Sequence, residues 1–181
     1  DDVGSQSFAW EDLRLVRVVV PPGLTMGALN QSGYLACAGD RIMLLNDDVT
    51  ARTPGWDRRI AECFDHANDE ILLVHVNDHV FEEALCTFPI VSRRYCEMAG
   101  GICPRDYVRY RIDDHIEDIF NLLNFLGERR TIYLPEVIFE HTNAIETVTG
   151  VGMTAPRCSN RIRAALPLTV DVNASTGTLA P

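Results

Sequence analysis

Short apolar runs alternate with longer amphipathic stretches along most of the chain. The runs lack polar alternation and are rich in Val, Ile and Leu, which is typical of strands buried on both faces of a sheet. They cover residues 15–20, 42–45, 71–76, 88–91, 131–134 and 137–139. Helical spacing of apolar residues fills the intervals at residues 26–38, 53–66 and 114–127. This alternation predicts an α/β fold with a mostly parallel central sheet flanked by helices.

Residues that favour the first position of a helix mark where each predicted helix begins. Thr25 is a suitable N-cap for the first helix, and Thr53, which is followed by a proline, for the second. Asp114 and Glu117 have the spacing of a capping box, in which two side chains satisfy orphan backbone N–H groups. The third helix is therefore expected to begin beside Asp114.

Polar side chains follow two of the predicted strands at the point where each strand ends. Asn46, Asp47 and Asp48 come directly after the run at residues 42–45, and His141 follows the last run. In α/β sheets, ligands bind beyond the carboxyl ends of strands, and Mg²⁺ or Mn²⁺ prefers oxygen donors. A metal site is one interpretation; a solvated turn and a hydrogen-bonded histidine are the alternatives. The metal site requires that Asp48 and His141 lie close together.

A second acidic cluster and a basic pair complete the candidate residues. A carboxylate at the mouth of a cleft can act as a general base, which makes Asp113 and Asp114 candidates, with Asp118 one turn further on. For Asp114 the alternative is a helix cap, and for Asp118 a solvated helix face. Arg94, next to Arg93, could hold a diphosphate through bidentate hydrogen bonds, although a solvent-facing basic pair fits equally well.

Composition narrows the class of protein. The chain has 181 residues and a formal net charge of −10, which argues against general nucleic-acid binding. It contains no apolar run long enough to cross a bilayer and no CxxC pair among its six cysteines. Together these features predict a cytoplasmic protein with free thiols, for which a homo-oligomer remains compatible. Residues 1–150 are predicted to form one domain, and residues 151–181, rich in Ala, Thr, Pro and Gly, a loosely ordered tail or linker.

Taken in order, these motifs resemble the inverting GT-A glycosyltransferases of the large family 2. The resemblance is carried by A-G-D at 38–40, the apolar strand, Asn46-Asp47-Asp48 and P-G-W at 54–56, then by the acidic segment 113–118 and the strand leading to His141. It implies that Asn46-Asp47-Asp48 is a DxD-type motif in which Asp48 is the principal ligand of Mn²⁺ or Mg²⁺. His141 would be a further metal ligand.

The same resemblance implies a donor and a reaction. The donor would be a nucleotide-diphosphate sugar, with a UDP-sugar favoured, and the acceptor would supply a hydroxyl group. Asp2, in a segment similar to the family's D-D-G-S, and Asn30 would contact the donor together with Asn46, Asp47 and Arg94. Asp113 or Asp114 would be the catalytic base.

Two other functions remain open at this stage. The family's opening strand and helix, which hold the uracil, have no counterpart, so the nucleotide-binding start is expected to be missing from the chain as given. The first alternative is therefore a non-catalytic, GT-A-like domain that binds a nucleotide or a metal ion. A metal-dependent phosphohydrolase that uses the same acidic clusters is the second.

Overall fold

A computed structural model describes residues 14–141 of the chain. The described part contains four α-helices, one short 3-10 helix at Glu82–Ala84 and five strands. The helices are α1 (Met26–Ala36), α2 (Trp56–Asp65), α3 (Arg93–Ala99) and α4 (Ile112–Phe125). The strands are β1 (Arg41–Met43), β2 (Val49–Ala51), β3 (Leu73–Asn77), β4 (Ile90–Ser92) and β5 (Thr131–His141).

The strands form one mixed sheet in the order β1-β4-β3-β5-β2. Only the β3–β5 pair is parallel among the described strands, and the other three pairs are antiparallel. The predicted α/β class is confirmed, whereas a mostly parallel sheet is not. The link between β3 and β4 contains a single 3-10 turn and no helical crossover. The chain therefore turns back, and β4 pairs antiparallel with β3.

Each face of the sheet is covered by its own apolar cluster. Consecutive residues of a strand point to opposite faces, so Leu73 packs into one cluster and Val74 into the other. The first cluster joins the sheet to α1, α3 and α4, and the second joins it to α2. Phe120 of α4 and Phe64 of α2 are at most 1% exposed. The sheet therefore lies between two helical layers, which hold its strand ends in fixed positions.

The predicted strand at residues 15–20 is wrong. These residues belong to no strand, and Leu15, Val16 and Val19 are 54%, 46% and 82% exposed. A β-branched run favours extended backbone, but a strand exists only where a neighbour supplies hydrogen bonds, and none of the described strands pairs with this segment.

Of the three residues predicted to cap a helix, one is confirmed. Thr25 caps α1, because its hydroxyl accepts a hydrogen bond from the Ala28 N–H at 3.1 Å. The other two predicted caps are wrong. Gly55, in the left-handed region at φ 70°, precedes α2, and Arg111, at φ 73°, precedes α4. Asp114 therefore lies inside the first turn of α4 and not at its cap.

Thr53 has a structural role other than the predicted cap. Its hydroxyl donates to the Glu136 carbonyl at 3.0 Å and accepts from the Ile138 N–H at 2.9 Å, which ties the start of α2 to β5. We expect Thr53→Val to lower the free energy of unfolding by about 1–3 kcal/mol, because both groups lose a partner. Urea denaturation measures this loss, and Thr50→Val, at a half-buried strand position without such a bond, should cost much less.

Some predictions concern residues that lie outside 14–141. Asp2 with the whole D-D-G-S-like segment and the predicted tail at 151–181 are among them, as is the sixth cysteine, Cys158. The five cysteines of the described part are free, as the sequence predicts. Among residues 14–141, no helix combines the length and apolar character needed to cross a membrane.

Candidate functional site

Asp48 and His141 lie side by side, as the metal-site interpretation requires. β2 pairs with β5 so that Val49 faces His141, which brings the preceding Asp48 next to the imidazole. The Asp48 Oδ1 and His141 Nδ1 atoms are 3.5 Å apart, and the side chains are 32% and 14% exposed. The Phe88 ring packs against the imidazole with a centroid separation of 4.9 Å. The predicted proximity is therefore confirmed, while ligation of a metal remains a prediction.

A cleft of about 440 Å³ brings most of the candidate residues together. Its wall includes the start of α1, the β1–β2 turn, the segment before β4 and the start of α4. Six of the predicted residues line it: Asn30, Asn46, Asp47, Asp48, Asp113 and Asp114. Residues that are distant in sequence thus share one concave surface, as expected of a binding or catalytic site.

Asp113 has the electrostatic character of a candidate base. Burial is the main reason that its pKa is raised above the ordinary value, and the neighbouring Asp114 carboxylate adds to the rise. The positive charge of Arg111 acts in the other direction and lowers the pKa of Asp113. The Nε atom of Arg111 lies 3.4 Å from the Asp114 Oδ2 atom. A carboxylate with a raised pKa is a stronger base than an ordinary aspartate. Asp113 is therefore better suited to accept a proton than Asp114, which has a cationic partner.

The remaining acidic residues of α4 have other surroundings. The Glu117 carboxylate accepts a hydrogen bond from the Cys86 N–H at 3.1 Å, so it secures the segment before β4 and does not complete a capping box. Asp118 is exposed and does not line the cleft. Of the three aspartates that the sequence offers as the base, the structure brings Asp113 and Asp114 to the cleft.

A buried carboxylate holds one wall of the cleft in place. Asp78 is 1% exposed, and its Oδ1 accepts hydrogen bonds from the N–H groups of Val80, Phe81 and Glu82. Its Oδ2 accepts from the hydroxyl of Thr87, a cleft residue, at 2.7 Å. Burial alone would raise the pKa of Asp78, but the hydrogen bonds from Thr87 and the backbone hold it below the ordinary value. This carboxylate is structural, and the sequence pattern gave no signal for it.

The donor set at Asp48 and His141 fits a divalent cation that shares its coordination with a ligand. Two donors at right angles on a Mg²⁺-sized ion lie about 3 Å apart, close to the 3.5 Å between these side chains. Asp47 and Asn46 line the same cleft and add oxygen donors. No group of three or more His, Cys, Asp or Glu side chains that could hold a metal occurs within residues 14–141. The arrangement thus suits an ion completed by water and phosphate oxygens rather than a closed, all-protein site.

Neither arginine of the predicted basic pair reaches the cleft. Arg94 is exposed on α3 and does not line it. Arg93 donates to the carbonyls of Gly39 and Cys37 at 2.8 and 2.9 Å, and its guanidinium packs over the Tyr34 ring. Arg93 and Arg94 follow the last residue of β4, whereas the segment that lines the cleft comes before β4. The prediction that Arg94 holds a diphosphate therefore finds no support in this geometry.

The cleft has a basic side that the sequence patterns did not predict. Arg109, Tyr110 and Arg111 form part of its wall, immediately before α4. The Arg109 guanidinium lies over the Tyr110 ring at 5.1 Å from the centroid. The signal was present in the sequence as R-Y-R directly before the acidic segment, but only the fold turns this segment toward the cleft.

A second and more open groove lies along α2 and β5. It has a volume of about 660 Å³, and its lining includes Arg58, Arg59 and Glu136. Arg59 is 3.7 Å from the Glu136 carboxylate, so part of its charge is already paired. None of the predicted site residues lines this groove, and the smaller cleft remains the candidate site although the groove is larger.

His75 gives the fold a measurable dependence on pH. It is 3% exposed, packs against the Tyr133 ring at 4.9 Å, and its Nδ1 atom has no hydrogen-bond partner among the described residues. Burial lowers the pKa of this imidazole from 6.5, although the nearby Glu83 and Asp78 oppose the change. The unfolded chain therefore binds a proton more readily than the native one as the pH falls below about 6.5.

We expect the stability that neutral, buried His75 contributes to be fully present above pH 6.5. This stability should be lost progressively as the pH falls below 6.5. The free energy of unfolding, measured by urea titration between pH 7.5 and 5, should fall more steeply for the wild type than for His75→Leu. His66→Gln, at an exposed position, is the matched control and should keep the slope of the wild type. Equal slopes in all three proteins would show that His75 is not the titrating group.

No protein-family model matches the chain, and no curated protein or solved structure matches it either. The fold and the cleft define a mixed α/β domain with a strand-end site of acidic, imidazole and guanidinium side chains.

Proposed function

We propose that the chain is a metal-dependent inverting glycosyltransferase of the GT-A type, which moves a sugar from a nucleotide-diphosphate sugar to an acceptor hydroxyl. The observation that carries the proposal is the meeting of Asp48 and His141 at 3.5 Å, beside the cleft that also contains Asp113. A metal-ligand pair and a candidate base are the two elements that this reaction requires, and Asp48 of the pair lines the same cleft as Asp113. A UDP-sugar is the donor that we favour.

In this proposal, Asp48 and His141 hold a Mn²⁺ or Mg²⁺ ion, and Asp47 and Asn46 line the cleft together with Asp48. Such an ion, when bound, neutralises negative charge on the leaving nucleoside diphosphate. Asn30 lies on the α1 wall, where its amide can donate a hydrogen bond to the donor. The free thiols of the described cysteines suit a reducing compartment, so we place the reaction in the cytoplasm.

Asp113 is the proposed base. Its carboxylate removes the proton of the acceptor hydroxyl as that oxygen attacks the anomeric carbon. The bond to the diphosphate breaks on the opposite face, and the configuration at the anomeric carbon inverts. The electrostatics support this role for Asp113 over Asp114, since burial raises the pKa of Asp113 while Arg111 lies against Asp114.

A donor panel tests the proposed function directly. Calorimetry with UDP, with and without Mn²⁺, should show binding that depends on the metal, and a set of UDP-sugars should then show one donor that is cleaved. Binding without cleavage of any donor would favour the non-catalytic alternative. Release of nucleotide or phosphate from simple diphosphates, without a preference for sugar donors, would instead favour a phosphohydrolase.

A further inference from the structure

We propose that the acceptor carries an anionic group, a carboxylate or a phosphate, and that Arg109 and Arg111 bind this group at the rim of the cleft. This inference rests on the proposed function, because it assigns the acceptor of that reaction. It concerns a part of the cleft that none of the sequence motifs covers.

Positive charge is concentrated at one part of an otherwise acidic cleft. The chain carries 16 Lys and Arg residues against 26 Asp and Glu residues, yet two arginines separated by one residue line the cleft. Arg111 is 74% exposed at its side chain and has one ion pair, from its Nε atom to Asp114 at 3.4 Å. Arg109 has its ring contact with Tyr110, and no ion pair to it is found within residues 14–141. Donor groups on both guanidiniums therefore remain for a ligand.

Arg111 has an unusual backbone conformation for an arginine. Its φ of 73° lies in the left-handed region, which is unfavourable for a branched or long L-residue and is usually occupied by Gly or Asn. Arg111 also stands at the N-cap of α4 without providing a side-chain cap. Asn or Gly would serve both the conformation and the cap better. Glu70, His79 and Glu82 also have positive φ, and Arg111 differs from them in presenting a guanidinium on the wall of the cleft.

The position of Arg111 near Asp113 favours an anion on the acceptor and not on the donor. Arg111 precedes Asp113 by two positions, and its charge acts on that carboxylate. In the proposed reaction Asp113 touches the acceptor hydroxyl, so the arginines stand on the acceptor side. Charge on the donor diphosphate would be met elsewhere, by the divalent cation that Asp48 and His141 are proposed to hold. The acidic wall repels an anion and the basic rim attracts it, so an anionic acceptor enters with its neutral hydroxyl toward Asp113.

The exposed ring of Tyr110 adds a contact of a different kind. It is 70% exposed, lines the cleft and is covered on one side by the Arg109 guanidinium. An exposed aromatic ring beside cationic groups provides an apolar surface for the face of a sugar ring, while the guanidiniums pair with its charged substituent.

Binding of matched sugars without donor or metal tests the inference. The ligands are methyl glucoside, methyl glucuronide and methyl glucoside 6-phosphate, with inorganic phosphate and UDP as further anions, measured by calorimetry with the full chain at low salt. We expect the anionic sugars to bind at least about ten-fold more tightly than the neutral one, since charge-assisted hydrogen bonds supply the difference. The preference should weaken as salt is added.

The deciding variants are Arg111→Asn and Arg109→Gln, with Arg105→Gln as the matched control. Arg105 is exposed in the same loop but does not line the cleft. We expect each cleft variant to lose about ten-fold in affinity for the anionic sugars and to keep the affinity for the neutral one. Arg111→Asn should unfold at the same temperature as the wild type or higher, because Asn tolerates the left-handed conformation.

Three results would overturn the inference. The first is that no anionic sugar binds more tightly than methyl glucoside. The second is that the preference survives in both cleft variants. The third is that these variants weaken UDP and leave the anionic sugars unaffected, which would place the arginines on the donor. Because these measurements involve no turnover, they can fail while the donor panel succeeds, and the reverse.

Discussion

Asp113→Asn is expected to lower the rate of sugar transfer by about 10²- to 10⁴-fold, which is the usual contribution of a general base. Asparagine has the shape of aspartate but cannot accept the proton of the acceptor hydroxyl. The variant should remain folded, and its melting temperature should equal or exceed that of the wild type. The reason is that burial raises the pKa of Asp113, so the ionised carboxylate destabilises the native state at neutral pH and the neutral amide does not.

The wild-type pH profile checks the same assignment. The rate at low substrate concentration should rise with pH through the raised pKa of Asp113, because only the ionised carboxylate acts as a base. Asp118→Asn is the matched control, since Asp118 is exposed on the same helix outside the cleft, and it should keep both rate and profile. If Asp113→Asn retains full activity while Asp114→Asn does not, the base is Asp114.

The second large effect is expected at the metal site. Asp48→Asn should weaken Mn²⁺ binding by at least about 10- to 100-fold and reduce transfer to a similar or greater extent, because loss of a direct ligand should cost at least as much as loss of a supporting one. Calorimetry or manganese resonance spectroscopy in the presence of UDP measures the affinity. His141→Gln should produce the same pattern, since both side chains are proposed to share one ion.

Asp65→Asn serves as the control for Asp48→Asn, because Asp65 is exposed at the end of α2 and does not line the cleft. A rise in the Mn²⁺ concentration should partly restore the activity of Asp48→Asn, whereas it should leave Asp113→Asn inactive. Metal-independent transfer by either Asp48→Asn or His141→Gln would contradict the proposed site and would leave their 3.5 Å contact a purely structural one.

The pairing of β2 with β5 explains how a short motif acquires a partner from the far end of the described chain. β5 runs parallel to β3, passes a register irregularity next to Val76 and Asn77, and then continues beyond β3 to pair with β2. This continuation carries His141 to the turn that presents Asp48. Thr53 fixes the same region through its hydrogen bonds to β5. The metal-site geometry therefore depends on an edge pairing and not on the central parallel strands.

The sequence predicted what depends on local spacing. Apolar periodicity located α1, α2, α4 and most of the strands, and Thr25 marked a helix start correctly because a cap is a contact between residues close in sequence. The sequence placed Asp48 after a buried strand and His141 at the end of another, and their proximity was a condition of the metal-site interpretation that the pairing of β2 with β5 meets. The helix positions and the Thr25 cap persist in the fold because they depend on contacts between residues close in sequence.

Tertiary structure alone decided the rest. Strand direction, the exposure of residues 15–20, the burial of Asp78 and the position of Arg109 and Arg111 on the wall of the cleft all depend on which elements become neighbours. Spacing along the chain carries no information about such neighbours when the contacts are made across long intervals of sequence. The same physical reason explains why Arg94 was a reasonable candidate from the sequence and yet lies outside the cleft.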